Sequence, residues 1–386
     1  MPTQAVVAGH ICLDLLPDLM SRRLDLTPGA LRVIGPMTVA PGGSVSNTGL
    51  ALHRLGVASR LVARIGEDPL GTVLRGALEN ESAGLGDGLV VRLGEGTSYS
   101  VLLASAETDR IVIHYPGAND GFSATDVEAE QLRGAELLHL GYPPLLRRLC
   151  KNDGLELLAV MRTAHAAGLA TSMDMCEPDD RIADVSWPAL LARVLSEVDV
   201  FMPSFGELRA MLSDHSASTH LWEGASLPAE DEIRGLAERA LEIGATVAGV
   251  KLGRFGLYLR TSDATRLGRL AARLPGLDAA DWANRELWAP VFDVEVAGTT
   301  GSGDTTIAGF LAALLDRRSP SAALNLACAV GSLCVQAPDA LSGIADRAAA
   351  EERAASDLNR PRPPLSRAWT GPVDGVLAGP RDQAGV

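Results

Sequence analysis

The stretch Val291–Arg318, VFDVEVAGTTGSGDTTIAGFLAALLDRR, decides how this chain folds. Phe292, Val294 and Val296 alternate with Asp293 and Glu295, the two-residue period of a strand. GTTGSGD follows, and then Ile307, Phe310, Leu311, Leu314 and Leu315 recur at helical spacing. Arg317 and Arg318 fall in the last turn, and Pro320 is a stop. The spacing predicts a strand, a glycine-rich turn and a helix that begins near Asp304. Such a turn aims unpaired N–H groups and the positive end of a helix dipole at one point, a ready anion site. Asp304 has two readings there. It is a helix N-cap, or it is a general base that deprotonates a hydroxyl attacking a phosphoryl group held by Gly301, Ser302 and Gly303.

A second segment bears on that choice. Residues 41–56, PGGSVSNTGLALHRLG, place Gly42-Gly43 ahead of a helix with Val45, Leu50 and Leu55 apolar and Gly56 as its C-cap. Paired glycines let a ligand approach the backbone closely, and Asn47, one turn in, offers both a donor and an acceptor to hydroxyls. Taken alone, the segment is also readable as a tight turn with a capping Asn.

Outward from these two segments, short apolar runs alternate with amphipathic stretches. Strands are predicted at Ala5–Ala8, Ala58–Ile65, Leu137–Leu140, Ala170–Met173, Val198–Met202 and Val247–Val250, and helices at Leu155–Ala166 and Glu232–Ile243. That rhythm implies an α/β fold, a doubly wound and mainly parallel sheet covered on both faces. Residues 96–116 break it: GTSYSVLLASAETDRIVIHYP reads as two strands joined by a polar turn, an antiparallel hairpin. Residues 31–40 add a further strand to this small lid. Segments 213–230 and 275–290 lack periodicity and read as loops. From about Ala348 the chain turns charged, then rich in Pro, Arg and Gly, which predicts a peripheral helix followed by a poorly ordered end.

With 386 residues there is ample material for a buried core. A formal charge of −14 argues against nucleic acid or an anionic membrane as partner, since either needs a basic face. It leaves small anions open, because backbone N–H groups hold phosphate without side-chain charge. Five cysteines without a CxxC pair read as reduced thiols of a cytoplasmic protein. The N-terminus has no basic n-region and carries Asp14, so no signal peptide is expected. The longest apolar runs reach about half the ~20 residues of a membrane helix. There is no GxxxxGK[ST], no GxGxxG after a strand, no HExxH and no GxSxG. His114, on a lid strand with two faces, points either to a substrate or away from it.

Together and in this order, the two glycine segments resemble the signatures of the ribokinase-like (PfkB) family of carbohydrate and nucleoside kinases. GHICLD at 9–14 resembles the family's first strand with its sugar-binding Asp. RIGEDPLG at 64–71 matches its GxDxxG turn, DVFMPSFGEL at 199–208 its N-x-x-E strand end, and VKLGRFGLYL at 250–259 its nucleotide-binding strand and turn. The resemblance spans about residues 4–345 and implies a three-layer α/β/α kinase domain over 1–347. Its β-lid comes from about 12–40 and 96–116, and residues 348–386 form a tail.

The resemblance further implies an ATP- and Mg2+-dependent kinase acting on a hydroxyl, primary in this expectation, of a small sugar. Asp304 is then the base and Gly301, Ser302 and Gly303 the anion hole. Asp14, Gly42, Gly43, Asn47 and Asn119 contact the acceptor. Asp174, at the end of a strand, joins them by position. Ser204, Lys251, Gly253, Gly256 and Cys328 lie by the nucleotide, although core packing is the preferred reading of Cys328, and Glu207 organises Mg2+ through water. A homodimer formed through the lid is implied as well. Two residues depart from the pattern: Ser204 replaces the motif's Asn, and Gly298 replaces an Asp or Asn, which puts a monovalent cation in doubt. A nucleoside kinase on the same fold and a non-catalytic sugar or nucleotide sensor are the alternatives. With six Phe, five Trp and four Tyr in the chain, the few aromatics favour a polar sugar over a nucleobase acceptor.

Overall fold

The computed structural model describes residues 4–19, 28–29, 31–105, 108–178, 182, 184–212 and 224–383. In chain order the strands are β1 (Ala5–Gly9), β2 (Cys12–Pro17), β3 (Met37–Gly42), β4 (Ser59–Gly66), β5 (Leu89–Arg92), β6 (Tyr99–Ser105) and β7 (Thr108–Tyr115). β8 (Leu137–Gly141), β9 (Ala170–Met173), β10 (Val200–Phe201), β11 (Val247–Lys251) and β12 (Leu257–Thr261) follow. The last are β13 (Glu286–Ala289), β14 (Thr370–Val373) and β15 (Val376–Ala378).

An eleven-stranded sheet runs in the order β14-β15-β13-β12-β11-β10-β9-β8-β1-β4-β5. Pairings from β5 through β11 are parallel, and those from β11 to β14 antiparallel. β1, AVVAG, is buried at every residue, as a central strand covered on both faces must be. Its alternate residues feed two cores. Ala5 and Val7 meet the helices Gly43–Arg54, Ser302–Leu315 and Pro320–Cys334, while Val6 and Ala8 face the opposite layer, with Leu157, Leu191 and Ala237. This is the expected three-layer α/β/α fold.

The lid is a four-stranded sheet, β3-β2-β6-β7, whose β6–β7 hairpin is antiparallel as predicted. Its turn residues 106–107 lie outside the described residues. Asp68 ties the lid to the body. Its Oδ1 caps the helix Pro69–Glu81 through Gly71 N at 2.8 Å, and its Oδ2 accepts Thr97 N, just before β6, at 2.7 Å.

Several expectations are corrected. Val291–Val296 is not a strand: Pro290 offers no N–H to continue the ladder of β13, and the segment bonds irregular backbone instead, Asp293 N to Asn359 O and Ala297 N to Val335 O, each at 2.8 Å. Residues 275–290 are not a plain loop, since they hold the short helix Ala279–Trp282 and β13. Of 213–230, residues 213–223 lie outside the described residues. The end of the chain is ordered through residue 383. After the helix Arg347–Ala355, β14 and β15 extend the large sheet, and Trp369 is buried edge-on against Trp288 and Tyr258 at 5.6 and 6.1 Å. Among the described residues no helix is long and apolar enough to cross a membrane.

Candidate active site

Gly301 begins the helix Ser302–Leu315 in the left-handed region (φ 71°), and a Cβ there would lie 2.3 Å from that of Ala340. Only glycine satisfies both constraints. Gly301 itself holds the N-cap position, so Asp304 does not cap the helix. Its side chain, buried in the first turn, is turned to other partners. Oδ2 accepts the Asn47 amide at 2.9 Å and the Tyr142 hydroxyl at 3.0 Å. Oδ1 is buried with no partner among the described residues. Burial pushes the Asp304 pKa up, while Asn47, Lys251 and Tyr142 pull against that rise.

The paired glycines are explained by what stands against them. A Cβ on Gly42 would lie 2.2 Å from Oδ2 of Asp14, which sits diagonally across on β2, two residues beyond Cys12, the residue paired with Gly42. Gly43 has φ 82°, and its Cβ would lie 2.6 Å from Nδ1 of His10. Asp14, Gly42, Gly43 and Asn47 therefore form one cluster beside Asp304. Two more buried atoms without partners among the described residues belong to it, Asn47 Oδ1 and His10 Nδ1. Burial, and then His114, hold the His10 pKa well below the usual imidazole value, so the ring is neutral. His114 meets His10 Nε2 at 3.4 Å and Ser100 Oγ at 3.0 Å, placing it on the side of the lid that faces His10. Asn119 departs from the expected acceptor contact. It is fully buried, donates to Ile11 O at 2.8 Å and accepts from Ile11 N at 3.5 Å, so it braces the link between β1 and β2.

On the other side of Asp304, Lys251 donates from Nζ to both oxygens of Asp174, at 2.7 and 2.8 Å. Burial raises Asp174 to about 8 against the pull of Lys251. Burial works against the Lys251 charge, but Asp174 and Glu207 outweigh it and raise its pKa. A Cβ on Gly303 would lie 3.3 Å from Nζ, so the ammonium stands beside the glycine turn. Asp174 thus belongs with Lys251 rather than with Asp14. Ser204 and Glu207 cap each other: Glu207 Oε2 accepts Ser204 N at 2.7 Å and Ser204 Oγ accepts Glu207 N at 3.3 Å. Among the described residues no three His, Cys, Asp or Glu side chains form a metal-holding group. The carboxylates Asp174 and Glu207 suit a hard cation that keeps most of its water and binds largely through phosphate.

Next to the turn opens a cavity of about 600 Å3, lined among others by Gly253, Gly256, Val294, Ser302, Thr306 and Cys328. Gly256 has φ 100°, and its Cβ would meet Ala289 O at 2.0 Å, so no side chain intrudes there. Cys328 lines the cavity while its thiol, pushed up to about 12 by burial, donates to Ala289 O at 3.6 Å.

Sequence reasoning missed Tyr142 and His10. Both stand at or just past the carboxyl ends of parallel strands, β8 and β1, where open α/β sheets bind ligands. That position was the available signal. Tyr142 also has φ 58°, an uncommon conformation for a bulky residue.

A buried carboxylate thus stands in the first turn of a helix, beside a glycine turn and a cavity of about 600 Å3. The chain belongs to the pfkB family of carbohydrate kinases: residues 3–347 match that family. It is a carbohydrate kinase that phosphorylates a sugar hydroxyl. It is 26% identical over 343 residues to a 2-dehydro-3-deoxygluconokinase of Bacillus subtilis, covering 86% of this chain and 91% of the relative. It is 23% identical to a probable fructokinase-5 of Arabidopsis thaliana, covering 89% and 95%. Among solved structures, the Arabidopsis thaliana ribokinase complexed with ribose and ATP aligns at TM-score 0.69 and 21% identity, covering 92% of this chain and 99% of that one. A putative ribokinase II from E. coli, in complex with ATP and Mg2+, aligns at 0.64 and 19%, covering 91% and 98%.

Proposed function

We propose that Asp304 is the general base of sugar phosphorylation. Its Oδ1 takes the proton of the acceptor hydroxyl, whose oxygen attacks the γ-phosphorus of ATP. The bond to the β,γ-bridging oxygen breaks and ADP departs. The observation that carries this reading is the unpartnered, buried Oδ1 at the head of the Ser302–Leu315 helix. Tyr142 and Asn47 hold the other oxygen and so fix the carboxylate's orientation.

The 301–303 amides and Lys251 face the charge that develops on the transferred group. Asp14 and Asn47 bind acceptor hydroxyls, Gly42 and Gly43 let the acceptor close on the backbone, and neutral His10 and His114 complete that side. Asn119 supports the floor. Gly253, Gly256 and Cys328 border the nucleotide cavity, and Ser204 positions Glu207. Glu207 and Asp174 would hold Mg2+ through water, and the ion supplies charge neutralisation across the phosphates. Gly298 offers no side-chain ligand, so a monovalent cation is not part of this reading.

The lid is proposed to carry a homodimer contact. Ile111, Val112 and Ile113 are 58, 50 and 54% exposed, so both faces of β7 are open. One face borders the cleft, and an apolar outer face of this kind marks an interface. Described cysteines are free thiols, in keeping with the reducing cytoplasm.

A coupled ADP-release screen over pentoses, hexoses, sugar acids and nucleosides tests the reading. Turnover with a sugar supports it. Thermal shifts without turnover on any acceptor would instead favour a sensor.

A further inference from the structure

Residues 356–383 lie beyond the family match, which ends at 347, yet they enclose part of the nucleotide cavity. Pro361, Arg362, Pro363 and Pro364 line the same space as Gly253 and Cys328. This strap is anchored at both ends. Before it, Asn359 O accepts Asp293 N at 2.8 Å, and the Arg360 guanidinium lies 3.7 Å over the ring of Phe292. After it, Trp369 is buried between Trp288 and Tyr258 and donates from Nε1 to Glu230 at 2.9 Å. Arg362 crosses the strap and donates to Trp369 O at 2.9 Å, which fixes the guanidinium. Pro363 is buried beneath, whereas Arg362 and Pro364 stay exposed.

A proline run suits such a wall. It lacks N–H groups that would need partners, its φ is already fixed, and it presents flat apolar rings at little entropic cost. A fixed guanidinium plane stacks on an aromatic face. We propose that the 361–364 strap is a specificity-determining wall of the nucleotide site, with Arg362 and Pro364 against the flat face of the nucleobase. The inference rests on reading this cavity as the nucleotide site. Strap docking and nucleotide binding are then linked, so nucleotide must stabilise the strap as the strap stabilises nucleotide.

The full-length enzyme tests this with ADP as probe. Calorimetry would compare wild type, Arg362→Ala and Pro364→Ala, with the acceptor KM measured alongside. Hydrogen exchange would be followed over 361–383 with and without ADP. Pro364→Ala keeps the Arg362–Trp369 bond, so it separates base contact from loosening of the strap. The expected result is ADP affinity weakened about tenfold in either variant. The acceptor KM should change less than about twofold, and ADP should slow exchange in 361–383. Equal ADP affinity in wild type and both variants overturns the wall alone. A wild-type enzyme that binds no ADP overturns the wall and the nucleotide cavity together.

Discussion

The hydroxyl of Tyr142 donates to Asp304 Oδ2 at 3.0 Å, the same oxygen that receives the Asn47 amide, and the other carboxylate oxygen is buried with no hydrogen-bond partner among the described residues. A tyrosine from the end of β8 thereby orients a carboxylate 162 residues further along the chain. Both hydrogen bonds stabilise the ionised form and oppose the rise that burial imposes.

Removing one of them should therefore raise the pKa of Asp304 further. Tyr142→Phe is expected to move the acidic limb of the kcat–pH profile to higher pH and to lower kcat about tenfold at neutral pH. A profile unchanged in position would mean that Asp304 does not titrate on that limb.

The two adjacent glycines give separable outcomes. Gly42 has an ordinary extended φ of −134°, and the atoms nearest a methyl there belong to the Asp14 carboxylate. Gly42→Ala should fold normally and raise the acceptor KM by about tenfold or more with the ATP KM little changed. Gly43 has φ 82° and meets both His10 Nδ1 and backbone O of His10. Gly43→Ala should destabilise the protein itself, by about 1–3 kcal/mol, as read by thermal melting.

The Asp174–Lys251 pair sets a pH dependence of stability. The folded pKa of Asp174 is raised from 3.8 to about 8, so between these values the native state keeps a proton that the unfolded chain releases. Stability from this group is full below the lower value and is lost as pH rises through the window. The melting temperature of the ligand-free enzyme should fall from pH 5 to pH 8 in part for this reason. Asp174→Asn, a stand-in for the protonated side chain at every pH, should flatten that slope. An unchanged slope would place the proton elsewhere.

The lid proposal predicts a change of mass. Ile113→Asp puts a charge on an exposed face of β7 and should give a monomer by sedimentation, whereas the unmodified chain should sediment as a dimer. Identical masses for the two would remove the lid from the interface.

What was legible in the sequence follows a physical pattern. Gly301, Gly43 and Asp304 were readable because a turn that needs positive φ and a helix start that gathers N–H groups each demand particular residue types at short spacing. The strands β1 and β8 were readable from their buried apolar runs. The contact of Tyr142 with Asp304 was not readable, since it depends on the end of β8 meeting a helix start 162 residues away and leaves no local period. The alternation at 291–296 imitates a strand because Phe292 fills the core while neighbouring valines line a cavity. The chain end looked poorly ordered from its Pro and Arg content, yet one buried aromatic, Trp369, and the pairing of β15 with β13 hold it to the body.

The central claim is that Asp304 acts as base and not as a helix cap or a scaffold residue. The most direct measurement is the single-turnover rate of Asp304→Asn with ATP and the best acceptor, together with ADP affinity and the melting curve. The account predicts an intact fold and near-normal ADP affinity, with phosphoryl transfer slowed by roughly 10²–10⁴-fold. Transfer at a near-normal rate in that variant would contradict it.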